Sequence, residues 1–449
     1  MPNEIFFDNI YDYGNDNRFA FYAQGANPRI LERLKAYVEA RRNQLTRIRV
    51  CSYLYNNGAL CDYLISLAHN GIVVDVVSIP LEGYDDRQAR RLLDYYTRIT
   101  GAQSFTKYGL ARAVYDRMVG ASRNCGNLHF YIFPHMYVRS ARMRSFSRGT
   151  LPYSLHIKSM LFEYSNGSGA VALTSSNLSC RDLTKNELFF TMEGNTDALD
   201  SARAFYDDLI ECSIPASDFD EAGDWMHYDI DIKDNTNVGV NAYIAPFYRN
   251  SPIDTREKIK DLIRNATEEI YISAEHLATE SADDILGCVF NDRRQGVNVN
   301  CLSQVFYCDG MRDFIQERRG GFTNYYFQNP NNHQRYEIRT PSNVTAFSNM
   351  TRNIDNDDNA SYCVNADVHA KYMVIDDVAV ISTCNFTPTS FTYIPEVDIP
   401  QFDFIPNASY HGIYSEVGQM IFVRDEEICA ALKNNFNSIC AQPNTYRRP

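Results

Sequence analysis

Apolar positions along the chain fall into helical and extended rhythms, and the order of those rhythms is written twice. Ile30, Leu31, Leu34, Tyr37 and Val38 follow Asn27-Pro28 at intervals of three and four, the spacing that gathers side chains on one helical face. Asn27 offers an N-cap oxygen and Pro28 the fixed φ of a first helical residue. A strand over 48–53 follows, then a helix over 60–70, a stop at Gly71 and a strand over 72–77. About 220 residues later the same order returns. Ser251-Pro252 opens a helix carrying Ile259, Leu262 and Ile263; residues 270–273 read as strand, 282–291 as helix ending before Gly296, and 297–301 as strand. Two βαβ units in equivalent places predict an α/β protein of two similar lobes, each a mixed β-sheet flanked by helices. The polar, acidic stretch over 213–241 is poor in periodic apolar residues. It divides the chain into a lobe of residues 1–215, a linker of 216–240 and a lobe of 241–449.

Reactive residue types are duplicated along with the scaffold. The first half holds His156-Ile157-Lys158, then Glu163, a turn at 166–169, an apolar run over 170–173, and Thr174-Ser175-Ser176-Asn177. The second holds His369-Ala370-Lys371, then Asp376, an apolar run over 378–381, and Ser382-Thr383-Cys384-Asn385. Glu187 and Glu416 lie downstream, each before an apolar strand. A strand alternates its side chains, so His-x-Lys on a strand puts imidazole and ammonium on one face. A hairpin return would deliver the hydroxyl and amide beside them. Imidazole, ammonium, hydroxyl and amide together suit a tetrahedral phosphate. Two such sets facing one phosphate support covalent catalysis by one histidine and acid–base catalysis by the other.

These paired stretches resemble the signature of the phospholipase D superfamily, H-x-K-x4-D followed by G-S-x-N. The specific part covers roughly 156–190 and 369–420; the repeated lobes carry a weaker resemblance over most of the chain. Glu163 replaces the acidic Asp, Thr174 and Ser382 stand at the Gly positions, and the first hairpin is longer. The resemblance implies a pseudo-dimer with the active site between its lobes and a metal-independent phosphodiesterase without a cofactor. It implies that His156 attacks phosphorus to give a phosphohistidine, while His369 protonates the leaving group and then activates water or an alcohol. Lys158, Lys371, Asn177 and Asn385, with Ser175 and Thr383, would bind the phosphate oxygens. Glu187 and Glu416 would orient the histidine rings, and Glu163 and Asp376 would be structural supports.

Composition narrows the substrate only slightly. Net charge is −13, from 43 Lys plus Arg against 56 Asp plus Glu, which leans away from broad nucleic-acid binding. A phospholipid substrate leads, as for a phospholipase D or phosphatidyl transferase. A nuclease or nucleotidyl phosphodiesterase is the first alternative, and a catalytically idle phosphate- or membrane-binding structural protein the second. The arginines at 139, 142, 144 and 148 read as a solvated face or an anion guide. The loop over 391–406, with three prolines and several aromatics, packs on its lobe or rims the site, where it would touch a lipid interface or stack on a base. His129 and His135 read as packed core residues, and His411 as a minor candidate for the site. Gly320-Gly321 reads as a turn before Tyr325-Tyr326-Phe327.

Twelve scattered cysteines without zinc spacing read as buried free thiols. The first residues are acidic and lack an apolar leader, and no run reaches the ~18 apolar residues of a membrane span. The N-x-[ST] triplets at Asn343, Asn349, Asn359 and Asn407 read as chance in an Asn-rich chain. The expectation is a cytoplasmic monomer with internal pseudo-twofold symmetry, peripheral to a membrane at most.

Overall fold

The computed structural model describes residues 3–9, 29–52, 57–78, 107–133, 155–178, 185–211, 213–219, 255–277, 285–306, 358–365, 367–386, 418–442 and 445–447. It also describes short strands at 233–234, 242–245, 248–249, 315–319, 322–328, 335–341, 393–394 and 413–414. Internal contacts divide the chain into two compact units, residues 1–249 with 392–419, and residues 250–391 with 420–449.

The first unit begins with strand β1 (Glu4–Asp8), helix α1 (Arg29–Arg41), β2 (Leu45–Ser52), α2 (Gly58–His69), β3 (Val73–Ser78), α3 (Lys107–Asn124) and β4 (Leu128–Ile132). It continues through β5 (Lys158–Tyr164), β6 (Gly169–Thr174), β7 (Glu187–Glu193), α4 (Thr196–Glu211) and β8 (Ile214–Pro215). Its sheet runs β1-β7-β6-β5-β2-β3-β4-β8. Ile30, Leu31, Leu34, Tyr37 and Val38 are the buried face of α1, as their spacing predicts. They join Ile48, Val50, Val74 and Val76 of the sheet and Leu60 and Leu64 of α2 in one core. Each fully buried leucine or valine there contributes about 1.5–3 kcal/mol. Asn57 caps α2 by accepting from Leu60 N at 3.0 Å, which starts the helix two residues before the predicted Leu60.

Three short strands follow: β9 (Lys233–Asp234), β10 (Ala242–Ala245) and β11 (Tyr248–Arg249). The second unit then opens with α5 (Thr255–Asn265), β12 (Glu269–Leu277), α6 (Ile285–Asn291) and β13 (Asn298–Phe306). Next come β14 (Ile315–Arg319), β15 (Phe322–Gln328), β16 (Arg335–Pro341), β17 (Ala360–Val364), β18 (Lys371–Ile375) and β19 (Val378–Ser382). β20 (Tyr393–Ile394) and β21 (Ile413–Tyr414) fall in the first unit, and β22 (Gly418–Val423), α7 (Glu426–Cys440) and β23 (Tyr446–Arg447) follow them in the chain. The order β22-β19-β18-β12-β13-β17-β23 repeats β7-β6-β5-β2-β3-β4-β8 strand for strand. Both copies pair their first two motif strands in parallel, Ile48 with Val74 and Ile270 with Val299. Gly71 and Gly296 take φ of +89° and +88°, the left-handed conformation in which glycine ends a helix at least cost. The duplication is therefore one of fold, down to its helix stops.

The copies differ in what joins their second and third equivalent strands. Helix α3 links β3 to β4, whereas an antiparallel sheet of β14, β15 and β16 stands between β13 and β17. Arg319 pairs with Phe322 across the Gly320-Gly321 position; the two glycines themselves lie outside the described residues.

Two expectations are corrected. The cysteines are not all free, because β17 and the end of α7 bring Cys363 and Cys440 together as a disulfide with Cα atoms 5.8 Å apart. Cys51, Cys61, Cys125, Cys288, Cys301, Cys384 and Cys429 are unbridged thiols. His129 is not a packed core residue: alternation along β4 buries Leu128 and Phe130 and turns His129 outward, where Nδ1 meets Asp75 Oδ1 at 2.7 Å. Asn27-Pro28, Ser251-Pro252, residues 139–148, His135, His411 and nearly all of the 391–406 loop lie outside the described residues. Among the described residues no helix is long and apolar enough to cross a membrane.

Candidate active site

Strands β5 and β18 begin at Lys158 and Lys371, so each histidine stands two residues before its strand rather than on it. Among the described residues, pairing of β2 with β5 reaches Ser52 and Lys158, and pairing of β12 with β18 reaches Ser273 and Tyr372. Each lysine folds back on its own motif: Lys158 Nζ donates to His156 O at 2.8 Å, and Lys371 Nζ to His369 O at 2.6 Å. These ammonium groups are 1% and 0% exposed. Burying a cation costs several kcal/mol unless strong acceptors receive it.

The hairpin return supplies the polar turn. Lys371 pairs with Ser382 across β18 and β19, and continuing the register one pair beyond Ser159 and Leu173 sets Lys158 opposite Thr174. Thr383, like Ser175, therefore directly follows the residue facing the lysine, and Asn385, like Asn177, comes two residues later. Thr174 and Ser382, which replace glycine in the signature, close the turn with their own hydroxyls. Thr174 Oγ1 accepts from Ser176 N at 3.1 Å, and Ser382 Oγ accepts from Cys384 N at 3.0 Å. This is the local turn that a Ser or Thr side chain makes with the amide two residues on, and neither residue needs positive φ.

In the first copy, Ser52 Oγ donates to Asn177 O at 2.9 Å, tying the turn to the end of β2. Ser175 Oγ donates to the Glu187 carboxylate and accepts from Leu188 N at 2.9 Å. Ser175 and Glu187 are both buried, so the carboxylate predicted to serve His156 holds the Ser175 hydroxyl.

The second copy is built differently at the matching place. Ser382 pairs with Met420 and Thr174 with Phe189, so the register sets Gly418 where the first copy has Glu187. Glu416 lies outside the described residues. A carboxylate nevertheless reaches His369: Glu275 Oε2 stands 3.3 Å from Nε2. It comes from the end of β12, beyond the last residue paired to β18. The motif spacing does not point to it, and its only signal in the sequence is an acidic residue in ISAEHL. Ser273 Oγ donates to Ala370 O at 3.1 Å and Ser303 Oγ to Glu275 O at 3.0 Å, anchoring that strand end. In both sheets the reactive groups gather at the carboxyl ends of parallel strands, where open α/β sheets bind ligands.

The motif acids lie at the other end of their hairpins. Glu163 pairs with Arg203 Nε at 3.2 Å and Arg49 Nε at 3.3 Å. Asp376, at φ +51° in the β18–β19 turn, accepts from Thr267 N at 2.8 Å, Glu268 N at 3.0 Å and Glu269 N at 3.1 Å. Burial alone would raise its carboxyl; these donors and the Thr267 hydroxyl outweigh it and hold the group below the usual carboxylate range. A depressed carboxyl contributes stability above its unfolded value, near ~3.9, and loses it as pH falls through the folded value. Asp376→Ala is therefore expected to lower stability at pH 7 by about 1–3 kcal/mol. Thermal melts should show the gap to the native protein narrowing below about pH 4.

No family model and no curated protein sequence matches the chain. Solved structures do. Phosphatidylserine synthase from Haemophilus influenzae Rd KW20 aligns with a TM-score of 0.51 at 12% identity, over 92% of this chain and 85% of that one. Polyphosphate kinase from Porphyromonas gingivalis aligns at 0.46 and 11% identity over 98% of this chain. This chain spans about half of that kinase, 51% of its length. Yeast tyrosyl-DNA phosphodiesterase aligns at 0.37 and 9% identity, over 85% of this chain and 83% of that one.

Proposed function

Because the chain carries the phospholipase D-like fold with its half-sheet written twice, we propose that it is a metal-independent phosphodiesterase working through a phosphohistidine. The observation that carries this reading is the repeated strand-end constellation. A histidine, a buried lysine bonded to that histidine's carbonyl, and a hydroxyl–Asn turn opposite the lysine occur in both sheets. Two imidazoles suit the two roles of a double displacement, nucleophile and proton carrier. Buried ammonium groups suit the non-bridging oxygens, where charge grows in the transition state. His156 is the nucleophile and His369 the acid, then the base. Lys158, Lys371, Asn177 and Asn385 bind the phosphate, and Ser175 with Glu187 fixes the first turn.

A phospholipid is the leading substrate. The net charge of −13 favours it over nucleic acid, and the phosphatidylserine synthase that shares the fold agrees in direction. The test offers bis(p-nitrophenyl) phosphate, phosphatidylcholine vesicles and single-stranded DNA, each with and without EDTA. Cleavage of the generic diester is expected to be insensitive to EDTA, and vesicles are expected to be cleaved faster than DNA. The reverse preference makes the protein a nuclease of the same mechanism. Strict dependence on a divalent metal overturns the mechanism, and no turnover of any of the three leaves an idle phosphate-binding protein.

A further inference from the structure

Resting on that phosphodiesterase reading, we propose that Glu275 is a positioning residue that keeps His369 protonated, and so separates the roles of two histidines that the repeated motif leaves equivalent. The observation is the Glu275 Oε2 to His369 Nε2 approach of 3.3 Å. His369 is buried, and the Glu275 side chain is only 18% exposed. A carboxylate this close stabilises the imidazolium over the neutral ring, and partial exclusion of water strengthens the effect. A nucleophile needs a neutral ring with an uncommitted lone pair. An imidazolium whose Nε2 faces a carboxylate is instead a donor through its other ring nitrogen.

The asymmetry is built into the fold. Ser52 pairs with Lys158 and Ser273 with Tyr372, so Ser52 matches Ala274, and the next residue in the sequence is Tyr53 in the first half and Glu275 in the second. Only the second half has a carboxylate at that sequence position. The first displacement then balances as follows. A bond forms from the His156 ring nitrogen to phosphorus, and the bond from phosphorus to the leaving oxygen breaks with its electron pair on oxygen. The proton on the other ring nitrogen of His369 passes to that oxygen, while the Nε2 proton stays with Glu275, which remains ionised. In the second displacement water attacks phosphorus, the phosphorus–nitrogen bond breaks, and the water proton returns to His369, restoring its pair with Glu275.

The test compares two diesters that differ in their need for a proton. p-Nitrophenolate leaves readily without one, whereas the more basic phenolate benefits from general acid catalysis, worth about 10²–10⁴-fold. For Glu275→Gln, kcat/KM, which reports the first displacement, is expected to fall about tenfold or less on bis(p-nitrophenyl) phosphate. On diphenyl phosphate it is expected to fall about 10²-fold or more. Glu275→Asp, which keeps the carboxylate, should bring the ratio of the two substrates back toward the native value. Equal losses on both substrates, with Glu275→Asp giving the native ratio no better than Glu275→Gln, would overturn the proposal and leave Glu275 a packing residue. A native protein that cleaves neither diester instead defeats the phosphodiesterase reading itself.

Discussion

Alanine at His156 or His369 is expected to lower steady-state turnover of bis(p-nitrophenyl) phosphate by roughly 10³-fold or more, and the two variants should fail in different ways. Without His156 there is no nucleophile, so no p-nitrophenol is released beyond background. Without His369 the first displacement still proceeds, because p-nitrophenolate needs no proton. The second lacks its base. His369→Ala should therefore release a burst approaching one equivalent of p-nitrophenol and then stall, the kinetic mark of an accumulating covalent intermediate. Stopped-flow absorbance distinguishes the two. A burst in His156→Ala and none in His369→Ala would exchange the assigned roles. Full turnover in both variants would remove the histidines from the chemistry altogether.

Lys371→Met is expected to separate activity from stability. The ammonium is fully buried and donates to His369 O at 2.6 Å. Removing a preorganised donor to developing negative charge costs roughly 10²–10³-fold in rate, and kcat/KM should fall by that much. Methionine has a similar unbranched length and fills the same space without a charge to desolvate. Replacing buried charges by apolar groups of similar volume is often neutral or stabilising by about 1–4 kcal/mol. The stranded His369 carbonyl works against that gain by about 1–3 kcal/mol. The melting temperature is thus expected to stay within a few degrees of the native value while activity collapses. Lys371→Arg should not restore the rate, since a planar guanidinium cannot occupy the point-charge position of an ammonium. Parallel loss of stability and activity in Lys371→Met would identify the lysine as a structural prop instead.

What the sequence disclosed was governed by local periodicity. The face of α1, the stops at Gly71 and Gly296 and the doubled βαβ order all follow from spacing within a few residues, and all appear in the structure. Features set by pairing between distant segments were not legible. The histidines stand off their strands, since β5 and β18 begin two residues later at Lys158 and Lys371. The match of Glu187 with Glu416 rested on similar flanking residues, whereas register gives Gly418 the place in the second sheet that Glu187 holds in the first. Glu275 precedes its histidine by more than ninety residues and is brought there only by the overhang of β12. Thr174 and Ser382 read as losses of glycine until their hydroxyls are seen closing the turn. The pairing of Cys363 with Cys440 spans 77 residues and has no spacing signature.

The proposed covalent step can be tested directly. His369→Ala, mixed with bis(p-nitrophenyl) phosphate in EDTA, quenched in alkali and digested, should yield one phosphorylated peptide. By mass spectrometry the adduct is expected on His156, stable to base and lost in acid. A stalled enzyme with an unmodified His156 would contradict a double displacement by these two histidines.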